Sequence, residues 1–514
     1  MTVAIAAPNP LSVDAGLAVA DAGGTAVDAA IAAMVVAMST EPGVISPLGG
    51  AFITVWPHDG DPVVIDANVE MPGRGLPPDR FGGGLLEITT AYGGGLTLYA
   101  GPGSVATPGA FAGFGLAHER FGAVPWAQLI APAVAATRSG YPLGAAAASY
   151  LAVCGTDLFG WDPETDALLN RADRLPRVAG EVLVDTNLSA ALDRIAEHGP
   201  DDLYRGGLAR SIASDLGARG GLLTLADLEA YQPVVRPALR THAGAWDLGT
   251  NAPPSIGGPV LTVLLGELAR RGRWTLADLL DIQVAVLGHR TRVHDFSQDL
   301  EGDGYDLLET VDRHGLAGLP TSGSTANVST VDSAGTVCAI TASSGYGSGA
   351  TLPGTGLMYN NCLGEPELNR IGLHALPPGT RLASNMAPTV GRCDDGRLLA
   401  VGSPGADRIT TALMQVLGRH CLDGIELDEA IARPRLHVAF PHSNDASVAA
   451  SAEPVVQLED DPVLAAAVAD SGLPSVVHPT RSMYFGGVGA AFRRADGTVG
   501  AAADARRESA TGVR

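Results

Sequence analysis

Thr325 follows a run of small residues, Ser322-Gly323-Ser324, and stands just ahead of a β-prone stretch, Val328 to Asp332. A threonine so placed can attack the peptide bond before it with its own hydroxyl. Cleavage between Ser324 and Thr325 would leave a free amine beside that hydroxyl, and the amine can act as general base with no histidine required. Ser333-Ala334-Gly335 supplies turn chemistry and Thr336 to Thr341 forms a second, more apolar run, so the spacing predicts a hairpin with Thr325 just before an edge of sheet. Serine- and glycine-rich clusters are more often loops than sites. On these residues alone, a surface loop leading into an ordinary strand is the commoner outcome.

Further along the chain come Ser343-Ser344-Gly345-Tyr346-Gly347-Ser348-Gly349, Pro353-Gly354-Thr355-Gly356-Leu357-Met358-Tyr359-Asn360-Asn361, Met386-Ala387-Pro388-Thr389 and Gly402-Ser403-Pro404-Gly405-Ala406. In this order and at this spacing the series resembles the γ-glutamyltranspeptidase family of N-terminal-nucleophile hydrolases. The resemblance extends towards the N-terminus through Pro10-Leu11-Ser12, Gly23-Gly24-Thr25-Ala26-Val27-Asp28-Ala29-Ala30 and Gly49-Gly50. It implies an α/β fold, a four-layer αββα sandwich with two central sheets between helical layers. It also implies a large segment, 1–324, and a small segment, 325–514, that starts at the nucleophile after self-cleavage.

The resemblance assigns roles residue by residue. Ser343 matches a threonine whose hydroxyl supports the nucleophile, and Gly405 with Ala406 match a Gly-Gly whose backbone N–H groups form the oxyanion hole. Cys362 and Glu365 fall where the family holds the substrate's amino group; Ser384 and Asn385 match a Ser-Ser pair that binds its carboxylate. The main departure is at Asn68-Val69, where the family has an arginine that clamps the α-carboxylate. Arg74 lies a few residues on and replaces that arginine only if its loop is rearranged. The machinery implied is that of a self-processing hydrolase or acyltransferase acting on a small amino-acid-like substrate, γ-glutamyl or a related amide. Two alternatives stand beside it. One is a repurposed relative that cleaves a carbon–carbon bond in alkylproline-type metabolism or a non-glutamyl amide such as oxamate. The other is a binding protein that never processes.

Composition narrows the partners. The chain has 514 residues, 46% hydrophobic and 17% charged, with a formal charge of −22, which disfavours nucleic acid and anionic membrane. Its basic residues are all arginine. The five cysteines, Cys154, Cys338, Cys362, Cys393 and Cys421, show no close Cys-x-x-Cys pairing, and the N-terminus has no basic leader, so a cytoplasmic location is expected. No metal or cofactor is expected; the polar cluster His289, Arg290, Arg292, His294 and Asp295 is set aside because helical spacing puts the two histidines on different faces. The expected partners are a small-molecule substrate and the two processed segments with each other, with homo-oligomerisation left open. Helices are predicted on either side of Gly23-Gly24, over Trp126 to Ser139 and over Val260 to Leu268, whereas Asp299 to Ser324 reads as a flexible segment.

Overall fold

Strands of small and β-branched residues gather into two antiparallel sheets. The computed structural model describes residues 1–90, 96–290, 292–314, 326–405, 407–440, 448, 451–507 and 509–514. From edge to edge the seven-stranded sheet runs Ala510–Val513, Val3–Ala7, Ala326–Asp332, Val337–Ser343, Gly50–Trp56, Val63–Ala67 and Val234–Pro237. The six-stranded sheet runs Val499–Ala503, Gly489–Arg493, Leu398–Gly402, Thr389–Cys393, Trp246–Thr250 and Leu239–Ala243.

Alternation along the strands builds the layers. On Val337–Ser343, Val337 and Ala339 face the second sheet and share a core with Val390, Leu398 and Ala491. Cys338, Ile340 and Ala342 face the other way and pack beneath the helices of the N-terminal half, among them the wholly buried Ala26–Thr40. On the outer side of the second sheet, Leu248, Leu399 and Val401 pack against Leu261, Leu265, Ile409 and Leu413, which belong to the helices Gly257–Arg271 and Arg408–Leu417. The order is helix, sheet, sheet, helix: an αββα sandwich.

The predicted hairpin forms, with Ala326 opposite Ala342 and Val331 opposite Val337. Its first strand is not at an edge. Ala326–Asp332 is buried throughout and is flanked on its other side by Val3–Ala7, a pairing between residues more than three hundred positions apart that no local pattern reveals. The expected helices appear at Pro10–Asp21, Ala26–Thr40, Trp126–Ser139 and Gly257–Arg271. Thr25 and Asp28 form a reciprocal capping box at the start of the second of these.

The flexible reading of Asp299 to Ser324 is corrected over its first part, because Leu300–His314 is an α-helix. Leu300, Leu307 and Val311 are buried at spacings of one face, and Asp299 caps the first turn by accepting the Gly302 N–H at 3.0 Å. Gly302 and Gly304 suggested a loop, but that buried stripe outweighs them. The remaining positions, 315–324, lie outside the described residues.

Candidate active site

Ser343 ends its strand opposite Gly50 of the neighbouring strand. The Gly49-Gly50 pair lets three segments close on this point. A Cβ on Gly49 would stand 2.4 Å from the Ser343 carbonyl oxygen, and one on Gly50 would stand 2.7 Å from the Val69 amide nitrogen and 3.0 Å from Asn68 Oδ1. The Ser343 hydroxyl accepts the Gly345 N–H at 3.2 Å. Gly345 turns the chain at φ 62°, where a Cβ would lie 2.2 Å from Asn361 Oδ1 and 3.0 Å from Glu365 Oε1. The turn after Ser343 and the Glu365 carboxyl are therefore in contact.

Glu365 is 2% exposed, and its Oε2 has no hydrogen-bond partner among the described residues. Burial, reinforced by the charge of Glu367, holds its carboxyl well above the usual carboxylate range. Cys362 is buried beside it; burial first, and Glu365 second, push its thiol well above the ordinary value. Asn369 secures the turn by donating to the carbonyls of Cys362 at 2.9 Å and Glu365 at 3.0 Å.

Ser384 and Asn385 are fixed from the second helical layer. The Ser384 carbonyl accepts the N–H groups of Ile256 at 2.9 Å and Gly257 at 3.0 Å, where the helix Gly257–Arg271 begins. Asn385 Oδ1 accepts a hydrogen bond from Arg290 Nη1. Gly405 adopts φ 131° opposite Gly486, and a Cβ there would lie 2.7 Å from Gly486 Cα. The Gly405 carbonyl accepts the Arg408 N–H at 3.0 Å, while its own N–H donates to no acceptor among the described residues. Ser324, Thr325 and Ala406 lie outside the described residues.

Asn68, at the departure from the family's clamp, and Arg74, its conditional replacement, are both engaged with other groups. Asn68 donates to the Leu382 carbonyl at 2.8 Å and accepts from the Tyr231 hydroxyl on its own carbonyl at 2.7 Å. Arg74 lies 3.4 Å from Asp227 and 3.6 Å from Glu70. Val69, at the position of the family's arginine, packs in an apolar cluster with Cys362, Leu363 and Leu382. Arg381 also brings a guanidinium to this loop: it bonds Glu70 at 2.6 Å, sits 3.3 Å from Asp66 and lies 4.6 Å over the Tyr231 ring.

The sequence profile described as Gamma-glutamyltranspeptidase matches residues 12–301 and 275–513, nearly the whole chain. The chain belongs to the γ-glutamyltranspeptidase family. Among its relatives, a glutathione hydrolase proenzyme of Escherichia coli is 28% identical over 472 residues, covering 84% of this chain and 80% of the relative. An acylase proenzyme, Acylase ACY 1, of a Pseudomonas species is 29% identical over 462 residues, covering 83% and 81%. The solved cephalosporin acylase of Bacillus halodurans superposes with a TM-score of 0.78 at 22% identity over 99% of this chain and 95% of that one, and so shares the fold.

Beyond the positions matched to the γ-glutamyltranspeptidase family, the structure corrects one argument and supplies a residue the sequence reading passed over. The helix Leu276–Arg290 ends before His294, so His289 and His294 do not sit on separate helical faces; their rings are 5.8 Å apart. Burial holds both imidazoles down, to about 4 for His289 and about 3 for His294, which leaves them neutral near pH 7. Among the described residues no group of three or more His, Cys, Asp or Glu is arranged to hold a metal ion. Arg290, by contrast, reaches Asn385. In the sequence it belongs to the same polar cluster as His289, Arg292, His294 and Asp295. A small cleft touches Ala326, Asn327 and Pro404, but Ser343, Glu365, Ser384 and Asn385 do not line it.

Proposed function

We propose that the chain is a self-processing hydrolase or acyltransferase whose nucleophile is Thr325, acting on a small amino-acid-like amide. In maturation the Thr325 hydroxyl oxygen attacks the Ser324 carbonyl carbon, the C–N bond between the two residues breaks, and the nitrogen takes up the hydroxyl proton. The resulting ester is hydrolysed by water to a Ser324 carboxylate and a free Thr325 hydroxyl. In turnover the same oxygen takes the acyl group from the substrate amide, the Thr325 amine carries the proton to the leaving amine, and water or an acceptor amine releases the acyl group. The observation that carries this reading is one of register. Ser343 is one residue beyond Ala342, the partner of Ala326, and Ala326 directly follows Thr325. The uncommitted Gly405 N–H supports an oxyanion role.

The apolar setting of Val69 and the ion pairs of Arg74 favour a non-glutamyl amide, or a repurposed reaction, over ordinary γ-glutamyl transfer. The two segments would stay associated after cleavage, since Val3–Ala7 of 1–324 pairs between Ala510–Val513 and Ala326–Asp332 of 325–514, and Val337–Ser343 pairs with Gly50–Trp56. Five buried thiols without disulfides favour the cytoplasm, which cell fractionation tests. Among the described residues no helix is long and apolar enough to cross a membrane. Mass spectrometry of purified protein should show one fragment ending at Ser324 and one starting at Thr325, and Thr325→Ala should remain a single chain. A cleaved Thr325→Ala protein would overturn the assignment.

A further inference from the structure

The strands Leu398–Gly402 and Gly489–Arg493 pair with Gly402 opposite Gly489 at one end and Leu398 opposite Arg493 at the other. Gly402 leads into Pro404 and Gly405. The Leu398 end is four residues away, roughly 13 Å at the rise of a strand. A cavity of about 170 Å³ opens there, between the strand ends and the segment 424–428 that enters the helix Leu427–Ala432. A single water needs only about 15 Å³ by that measure, so the space suits a small molecule. None of Thr325, Ser343, Glu365 or Gly405 lines it.

The charges that line this cavity are sorted by element. Arg397, Arg493 and Arg494 come from the strand ends, while Glu426 and Asp428 come from the segment facing them. The two signs do not satisfy each other: among the described residues, Arg493, Arg494, Glu426 and Asp428 form no side-chain hydrogen bond or ion pair, and the buried Nε of Arg493 has no acceptor. Two of the guanidinium groups are held over aromatic rings, Arg397 at 5.2 Å over Trp246 and Arg494 at 4.9 Å over Phe492. Arg397 is held further by Asp395 at 2.8 Å and by Cys393 Sγ at 3.3 Å. A stacked guanidinium keeps its in-plane donors directed sideways, as carboxylate recognition requires. His420 closes one wall, its ring 5.4 Å from that of Trp246 and its Nδ1 2.8 Å from the Ile425 carbonyl.

A plain anion in this space would meet Glu426 and Asp428, and a plain cation would meet three arginines. A ligand that carries both signs meets a partner for each, and the rings with Leu398 and Ile425 supply an apolar wall between them. We propose that the cavity is a second binding site, remote from Thr325, for a free α-amino acid with an apolar side chain. Its carboxylate pairs with Arg493 and Arg494, its ammonium with Glu426 and Asp428, and its side chain lies against Trp246 and Ile425. The assignment stands independently of the nucleophile and of the amide that it attacks.

Leucine and three of its fragments separate the contributions: 4-methylpentanoate lacks the amine, 3-methylbutylamine lacks the carboxylate and glycine lacks the side chain. Titrated calorimetrically into the purified protein, leucine should bind at least about tenfold more tightly than each of the three. Arg493→Gln and Glu426→Gln each remove one charge and should each weaken leucine by about tenfold or more, and Arg493→Lys should recover part of the loss. Melting temperatures of the unliganded variants separate lost binding from lost folding. Should Arg493→Gln fail to fold, Glu426→Gln decides alone, because Glu426 is exposed. Absence of leucine binding, or 4-methylpentanoate binding as tightly as leucine, would overturn the proposal. Full leucine affinity in the folded variants would place the amino acid elsewhere on the protein and overturn it too.

Discussion

Replacing Glu365 by glutamine tests the buried acid beside the Ser343 turn. Burial, then the charge of Glu367, raises the Glu365 carboxyl well above 4.5, the value expected in the unfolded chain. Below pH 4.5 the group is protonated in both states and does not affect stability. Above it, the unfolded chain has released the proton while the folded chain still holds it, so stability falls as pH rises, by about 1.4 kcal/mol per pH unit, until the pH passes the folded value. Glu365→Gln keeps the shape and removes the titration. Urea unfolding of both proteins from about pH 4.5 to pH 8, read at constant m-value, should give curves that meet at the acid end and diverge above it, with the variant the more stable. Over the first pH unit above 4.5 the gap should approach 1 kcal/mol, and over each later unit it should widen by about 1.4 kcal/mol. Parallel pH profiles, or a variant less stable than the wild type at pH 7, would show that the Glu365 carboxyl is ionised in the folded protein and that the account of its environment is wrong.

Two further substitutions test the oxyanion loop and the vacant clamp position. Gly405→Ala places a methyl 2.7 Å from Gly486 Cα at a φ of 131°, so stability should fall by about 1–3 kcal/mol and turnover by about a hundredfold, while processed segments stay associated; an unchanged melting temperature and rate would remove Gly405 from that role. Val69→Arg buries a guanidinium among Cys362, Leu363 and Leu382, so denaturant unfolding should show a loss of about 3–5 kcal/mol. A stable Val69→Arg protein with improved kcat/KM on γ-glutamyl-p-nitroanilide would show instead that the family's clamp can be rebuilt there.

What the sequence disclosed and what it hid divide by range. Turn chemistry at Ser333-Ala334-Gly335 and the helical pattern of Trp126–Ser139 act over a few residues, and each appears in the structure where the pattern put it. The order of motifs around Ser343, Glu365, Asn385 and Gly405 identified the family because spacing along a chain survives when individual contacts change. The interior position of Ala326–Asp332 was hidden because its second neighbour, Val3–Ala7, comes from the other end of the chain. The helix Leu300–His314 was missed because glycine and aspartate dominate its first turn while its buried stripe is spread over the next three. Arg290 was visible as a residue, but its meaning depends on Asn385, 95 positions away.

The five cysteines lie in four neighbourhoods of the interior, Cys393 and Cys421 sharing one, and none is in a disulfide. Cys338 is under the N-terminal helices, Cys393 and Cys421 pack on the outer side of the second sheet, Cys362 sits beside Val69, and Cys154 belongs to the cluster around Tyr141 and Phe159. Burial pushes the Cys154 thiol up to about 12 and raises those of Cys338, Cys362 and Cys421 as well. A thiol in that state reacts only when its surroundings open and water reaches it. The molecule therefore carries its own set of clocks: the alkylation half-life of each cysteine, read peptide by peptide, times the opening of one neighbourhood, and comparing them ranks the parts of the sandwich by how readily they come apart.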